Sequence, residues 1–307
     1  MAGICKSSSK MEKMKTNNLP VTSREYKLML KMERFADMEN GLKEFWNLAL
    51  FILKDRLKGE IIEEQYFNAK EKEEKRQKNK KERQTWYLDT EDFNLKSQGY
   101  ILRVRKEEGK YKVSIKYRGD DRYFSACQPF PEKGTISEKA EFKFEEDILP
   151  FLKNKYSKSI SITAKKLDPE LTKIGDLWEW FPFLDQGFEK DLKFKIMDLP
   201  KDMPLKIVNS FTAYEVVYWL GIVKFGKEEV KCCASFWYLE KDFGSPVVGE
   251  FSFDYDMDEK SIENNALESY SASTIVKANA FFEILQKQKG RIDSTGTTKT
   301  NFAYQGL

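Results

Sequence analysis

The 307 residues are 40% apolar and 14% aromatic, enough for one large domain or two ordinary ones with a real core, and 34% charged. A formal charge of only +3 excludes a global field for polyanions, so any phosphate preference must be local. Histidine is absent, which excludes imidazole bases, His-ligated zinc and phosphohistidine, and leaves carboxylates, lysines and metal-bound water as catalysts.

Residues 1–21 are polar and expected to form a tail with no signal-peptide core. Residues 24–32 place Tyr26, Leu28 and Leu30 opposite Glu25, Lys27, Met29 and Lys31, which predicts a strand with one apolar and one ionic face. Residues 36–58 repeat apolar side chains at three- and four-residue steps, from Leu42 to Leu57, and predict a helix ended by Gly59. Residues 60–84 are dominated by charge and read as a solvated helical extension or insertion; a nucleic-acid arm is the alternative, without interleaved aromatics to stack bases. A hairpin follows, with arms 100–106 and 110–117 and a turn at Glu107-Glu108-Gly109. Its apolar face carries Leu102, Val104, Val113 and Ile115, and its other face Arg103, Arg105, Lys112, Ser114 and Lys116.

Residues 119–134 read as a loop, 139–146 as a strand with Phe142 and Phe144 opposite Lys139, Glu141, Lys143 and Glu145, and 146–155 as a helix. The run Leu-Trp-Glu-Trp-Phe-Pro-Phe-Leu at 177–184 is too aromatic for an exposed loop and is expected to pack beneath an insertion, with an aromatic ligand platform as the lesser reading. Strands are predicted at 192–197, 213–225, 230–240 and 248–256, the last with Phe251, Phe253 and Tyr255 opposite Glu250, Ser252 and Asp254. Residues 261–289 predict a helix with Leu267, Ile275, Ala278, Phe282 and Leu285 inward, and 290–307 a tail from which Lys299 could reach a phosphate. The four cysteines, Cys5, Cys127, Cys232 and Cys233, lack metal spacing and read as reduced thiols, with the last two on opposite faces of one strand. No apolar run approaches the roughly eighteen residues of a membrane span, so a cytoplasmic protein is expected.

Four cations on one hairpin face are either a wet outer face or a surface that holds a multivalent anion. The same design recurs, with acids added, on widely separated strands. Their apolar faces need helices over them, and their ionic faces either meet solvent or curl around a lumen.

Residues 87–116, YLDTEDFNLKSQGYILRVRKEEGKYKVSIK, resemble the CYTH, or triphosphate tunnel metalloenzyme, superfamily. That family shows a Y-x-D-T segment, then L-R-x-R, then a strand ending in Lys; it opens with E-x-E-x-K and closes with E-x-E-type strands. Residues from Glu25 take the opening place, and 139–145 and 250–254 the later acidic ones. Lys27 and Met29 stand where the pattern has its second acid and its Lys, with Glu33 as a possible substitute, and Ser252 stands where it has an acid.

The resemblance implies an α+β fold. It is an antiparallel β-barrel of about eight strands around a charged tunnel, with helices outside, spanning 22–289 as one domain. It implies phosphate binding by Arg103, Arg105, Lys112 and Lys116, and at the same strand positions by Lys27, Lys139 and Lys143. Magnesium or manganese would be held by Glu25, Glu141, Glu145, Glu250 and Asp254, with Glu141, Glu145 or Glu250 orienting the attacking water. The implied activity is hydrolysis of triphosphate, short polyphosphate or a nucleoside or RNA 5′-triphosphate. A non-catalytic phosphate- or nucleotide-binding module and an adenylate cyclase are the alternatives. Nucleic acid enters only as a 5′-triphosphate end, no membrane is involved, and the oligomeric state is left open.

Overall fold

The computed structural model describes residues 19–68, 73–128, 130, 140–185, 195–256 and 271–306. The period-two segments become strands: β1 Ser23–Leu30, β2 Glu60–Glu64, β3 Lys80–Asp89, β4 Tyr100–Glu107, β5 Lys110–Gly119, β6 Ala140–Leu149, β7 Lys153–Ala164, β8 Lys206–Phe225, β9 Glu228–Tyr238, β10 Val248–Asp256 and β11 Ile292–Asp293. Nine of them close a ring in the order β1, β10, β9, β8, β3, β4, β5, β7, β6 and back to β1. Every neighbouring pair is antiparallel except β1 beside β6. Strand direction cannot alternate all the way around a ring of odd number, so one parallel joint is required. The barrel therefore has nine strands rather than about eight, and is mixed rather than wholly antiparallel.

The β4–β5 turn places Glu108 and Gly109 at φ +46° and +74°, the pair of positive values that a tight hairpin of matching twist demands. In β8 a register shift at Gly221 lets β2 pair alongside, and a side chain there would collide with the Glu63 carbonyl. Helices cover the barrel's outer face. α1 (Met38–Phe51) is capped by the Asp37 side chain, which accepts from the Asn40 N–H at 3.2 Å. It packs with α2 (Ala272–Gln286) over Tyr26, Leu28, Phe251 and Phe253, all fully buried. Tyr26 stacks on Phe253 with ring centroids 4.6 Å apart. A second apolar cluster sits on the outside of β4, β5 and β7. There Leu177, Trp178, Trp180, Phe181, Phe183 and Leu184 are buried against Leu102, Val104, Val113 and Ile115, so the aromatic run is packing, as expected.

Four expectations fail. Residues 146–155 are not a helix: β6 continues to Leu149, a 3-10 turn spans Pro150–Leu152, and β7 begins at Lys153. The strand alternation carries on through the acids instead: Glu146 faces outward to Arg24 at 3.3 Å while Asp147 faces inward to Lys27. The charged stretch 60–84 is not all insertion, since β2 and the first half of β3 are wall. Lys195–Asp198 is a 3-10 turn rather than strand, and residues 192–194 lie outside the described residues. Residues 290–307 are not a plain tail, because they include β11 and the helix α3 (Lys299–Gln305), with Ala303 and Tyr304 buried. In α2 the buried stripe is Thr274, Ala278, Phe281, Phe282 and Leu285, and Leu267 lies outside the described residues. No helix among the described residues is long and apolar enough to cross a membrane.

Candidate functional site

Because side chains alternate faces, closing the barrel turns every ionic face inward onto one cavity of about 300 Å³. Glu25, Lys27, Arg103, Arg105, Lys112, Lys116, Glu141, Lys143, Glu145, Glu250 and Asp254, all expected in the site, line it. Lys139 lies outside the described residues. Glu33 sits exposed on a 3-10 turn, Met32–Arg34, beyond the end of β1 and is no substitute lumen acid. The sequence reading missed Arg83, Arg118, Asp147 and Glu215. Arg83 and Asp147 lay in segments read as insertion and helix, and Glu215 in a strand read only as aromatic. Alternation carried on through 80–89 would have found Arg83.

Two buried carboxylates anchor the wall. Glu215, fully buried, accepts from Arg83 Nε at 2.6 Å, Thr85 Oγ1 at 3.1 Å and Lys299 Nζ at 3.0 Å. Burial opposes its charge, but Lys299, Arg83 and Arg105 hold it well below the usual carboxylate range. Asp147, 1% exposed, accepts from Lys27 Nζ and Arg118 Nη2, each at 2.7 Å, and is likewise held low against its burial.

Facing them is a group of cations with too few acids. Among the described residues nine cationic side chains line the cavity against five carboxylates; with Asp147 and Glu215 in the wall, two of those cations are in excess. Arg103 and Lys116 form no hydrogen bond or ion pair among the described residues, and the Arg103 and Arg105 Nε atoms are buried without a hydrogen-bond partner. Burial, then Arg103 and Arg83, push Arg105 down to about 9; burial, then Arg103, push Lys116 down to about 7. Charges placed where they repel one another out of water call for a dense anion. Across β7 from Lys116 and Ser114 stand Ser159 and Ser161, small hydroxyls that leave the room such an anion needs.

The acids divide into two groups. Glu141 is bonded by Lys112, with Lys143 at 3.5 Å; Glu145 has Lys143 at 3.6 Å; Glu250 has Lys299 at 3.0 Å. Asp254 stands opposite Glu25 in the β1–β10 register, and burial together with Glu25 and Asp256 pushes it up to about 7. No group of three or more acids or thiols converges to hold a metal among the described residues. Glu25, which carries Lys27 at 2.7 Å, and Asp254 are two carboxylates of the number a magnesium-type ion takes when water and substrate phosphate complete its shell.

Toward one end of the barrel the inward series turns apolar: Met29 follows Glu25 and Lys27, Ile101 precedes Arg103, Trp237 follows Ser235, and Val248 precedes Glu250. These pack with Ala303 and Tyr304 of α3. Met29, a departure from the family pattern, is part of this floor. Lys299 reaches from α3 into the lumen, bonding Ser235 Oγ at 2.6 Å and lying 5.9 Å from the Trp237 ring. The neighbouring strand places Cys232 in the outer core and Cys233 in the lumen wall, on opposite faces as expected, and burial pushes Cys233 up to about 12.

A closed barrel with an ionic lumen and helices outside is the architecture that the resemblance of residues 87–116 implied. No family model matches the sequence, and no curated protein matches it. Among solved structures, the chain is similar to HpAC1 from Hippeastrum, assigned as an adenylyl cyclase and described by a dominant triphosphatase activity, at 14% identity over 93% of this chain and 95% of that one, TM-score 0.40. Two proteins assigned as adenylate cyclases also match. The one from Bacillus halodurans does so at 14% identity over 92% of this chain and 97% of that one, TM-score 0.37; the one from Vibrio parahaemolyticus at 11% over 92% and 97%, TM-score 0.32.

Proposed function

We propose that the tunnel binds the phosphate chain of triphosphate, short polyphosphate or a nucleoside or RNA 5′-triphosphate and hydrolyses it with magnesium or manganese. The observation that carries this reading is the half-buried cation group of Arg103, Arg105 and Lys116 lining the cavity, in which Arg103 and Lys116 have no ion pair among the described residues and Arg105 reaches Glu215 only at 3.9 Å. Their forks and ammonium match phosphate oxygens, and a bound anion relieves the repulsion among them. Lys112 and Lys143, now on Glu141, can shift to incoming phosphate; Glu141 is then free to accept a proton from water. Glu25 and Asp254 would hold the divalent ion, which when bound would neutralise charge on the phosphate chain.

A second reading, binding without hydrolysis, is favoured by one observation: four of the expected metal acids, Glu25, Glu141, Glu145 and Glu250, already carry a lysine. Phosphate release from triphosphate, polyphosphate and nucleoside triphosphates, with pyrophosphate followed in parallel for cyclase chemistry, separates the two. Turnover lost in Glu141→Ala supports hydrolysis; thermal stabilisation by triphosphate without turnover supports binding; neither effect refutes both.

A further inference from the structure

We propose that the outer face of α1 and α2 docks on the surface of an anionic phospholipid bilayer, a peripheral contact made outside the barrel. Three large apolar side chains protrude from this one helical layer: Phe51 at the end of α1, 53% exposed, Val276 on α2, 66%, and Phe151 on the turn beside α2, 67%. α2 lies between the other two. On one flank its Ile284 and Gln288 share a groove of about 270 Å³ with Leu48, Phe51, Ile52 and Arg56. On the other flank its Gln286 side chain accepts from the Phe151 N–H at 2.9 Å. Two residues after Thr274, Val276 stands on the opposite side of α2 from the stripe that faces the barrel. Phe151 and Leu152 hold φ +64° and +54°, left-handed values that cost free energy in residues other than glycine. Leu152 turns in against the core, and the turn leaves the Phe151 ring out in water.

Charge selects the partner. Residues 51–58, 150–153 and 283–289 carry six lysines and arginines against two acids, an excess of four in a chain whose total is +3. All six cations are exposed, and none forms an ion pair among the described residues. A second copy docked face to face would set these charges against one another. A bilayer takes protruding rings without needing matched pockets: the rings sink to the acyl boundary while lipid phosphates meet the lysines. The groove beside Phe51, with Leu48, Ile52 and Ile284 in its wall, adds apolar contact for one chain. This face lies outside residues 87–116, and the barrel wall separates it from the lumen, so the contact does not depend on phosphate binding there.

Flotation at near-physiological salt, with vesicles of phosphatidylcholine alone and of phosphatidylcholine with phosphatidylglycerol, reads the contact. Wild type is expected to float with the anionic vesicles and not with the neutral ones. Phe51→Ser, Phe151→Ser and Lys287→Glu alter exposed side chains, so their melting temperatures are expected to match wild type while vesicle affinity falls about fivefold or more in each. Arg103→Ala, a change in the lumen, is expected to leave vesicle binding as it is. Wild type that ignores both vesicle types or binds both alike overturns the proposal, as does undiminished binding in the two phenylalanine variants or in Lys287→Glu. Loss of vesicle binding in Arg103→Ala would assign the lipid phosphate to the lumen and overturn it too. So would a wild-type dimer in sedimentation that Phe51→Ser dissolves, since the face then belongs to a second copy.

Discussion

Raising the pH from 7 to 9 is expected to weaken triphosphate binding through Lys116, and Lys116→Arg is expected to remove that share of the effect. Burial, and then Arg103, push the Lys116 ammonium from 10.5 down to about 7. At pH 8 the empty site then keeps this lysine about one-tenth protonated, so a ligand that needs the charge loses about 1.4 kcal/mol, a tenfold drop in affinity. Bound phosphate oxygens restore the charge, so binding at pH 8 takes up close to one proton. Isothermal titration in two buffers of different ionisation enthalpy reads that uptake directly. Asp254, pushed up to about 7 by burial and Glu25, loses its proton over the same range and weakens binding in the same direction, which is why the arginine variant is needed. Affinity that is flat from pH 7 to 9, or proton uptake unchanged in Lys116→Arg, refutes the reasoning. Stability has the opposite sign. The unfolded lysine keeps its proton up to about 10.5 while the folded one releases it above about 7, so this group makes the empty protein more stable as pH rises between those values.

Arg103→Ala is expected to lower triphosphate affinity about tenfold or more, by loss of a charge-assisted bond, while leaving stability unchanged or raised because Arg105 and Lys116 lose a repelling neighbour. Calorimetry beside a thermal melt checks it, and undiminished affinity would count against a lumen role. Glu215→Ala strands Arg83 and Lys299 in the wall and is expected to cost about 3–5 kcal/mol in urea unfolding; an unshifted midpoint contradicts the burial argument. Asp147, held far below its ordinary 3.8, contributes stability that is present above that value and lost only as pH falls through its lower folded value. The stability gap between wild type and Asp147→Asn should therefore be flat from pH 8 to 5 and shrink toward pH 2. A gap that closes near neutrality contradicts it.

Period-two alternation is a local property, and it was enough to identify β1, β4, β5, β6, β8, β9 and β10, their apolar faces and eleven of the lining side chains, from Glu25 to Asp254. Sequence alone also identified the hairpin turn at Glu107-Glu108-Gly109, because a short connection containing Gly lies between two alternating arms. What alternation does not contain is partnership. Asp147 was hidden in a run of three acids whose members face opposite sides once β6 is laid down; Arg83 sat in a stretch that looked like solvated charge; Lys299 looked like tail. Each acquires its meaning from a residue far along the chain: Lys27 for Asp147, Glu215 for Arg83, Glu215 and Glu250 for Lys299.

The amino-acid sequence by itself determined which faces are ionic, since side-chain direction along a strand follows from backbone geometry. Only the tertiary structure decided that those faces meet across one cavity, that Arg103 and Lys116 have no acid partner among the described residues, and that α3 packs against the apolar end. Charge balance in a lumen is a sum over nine strands, and no window of neighbouring residues holds that sum.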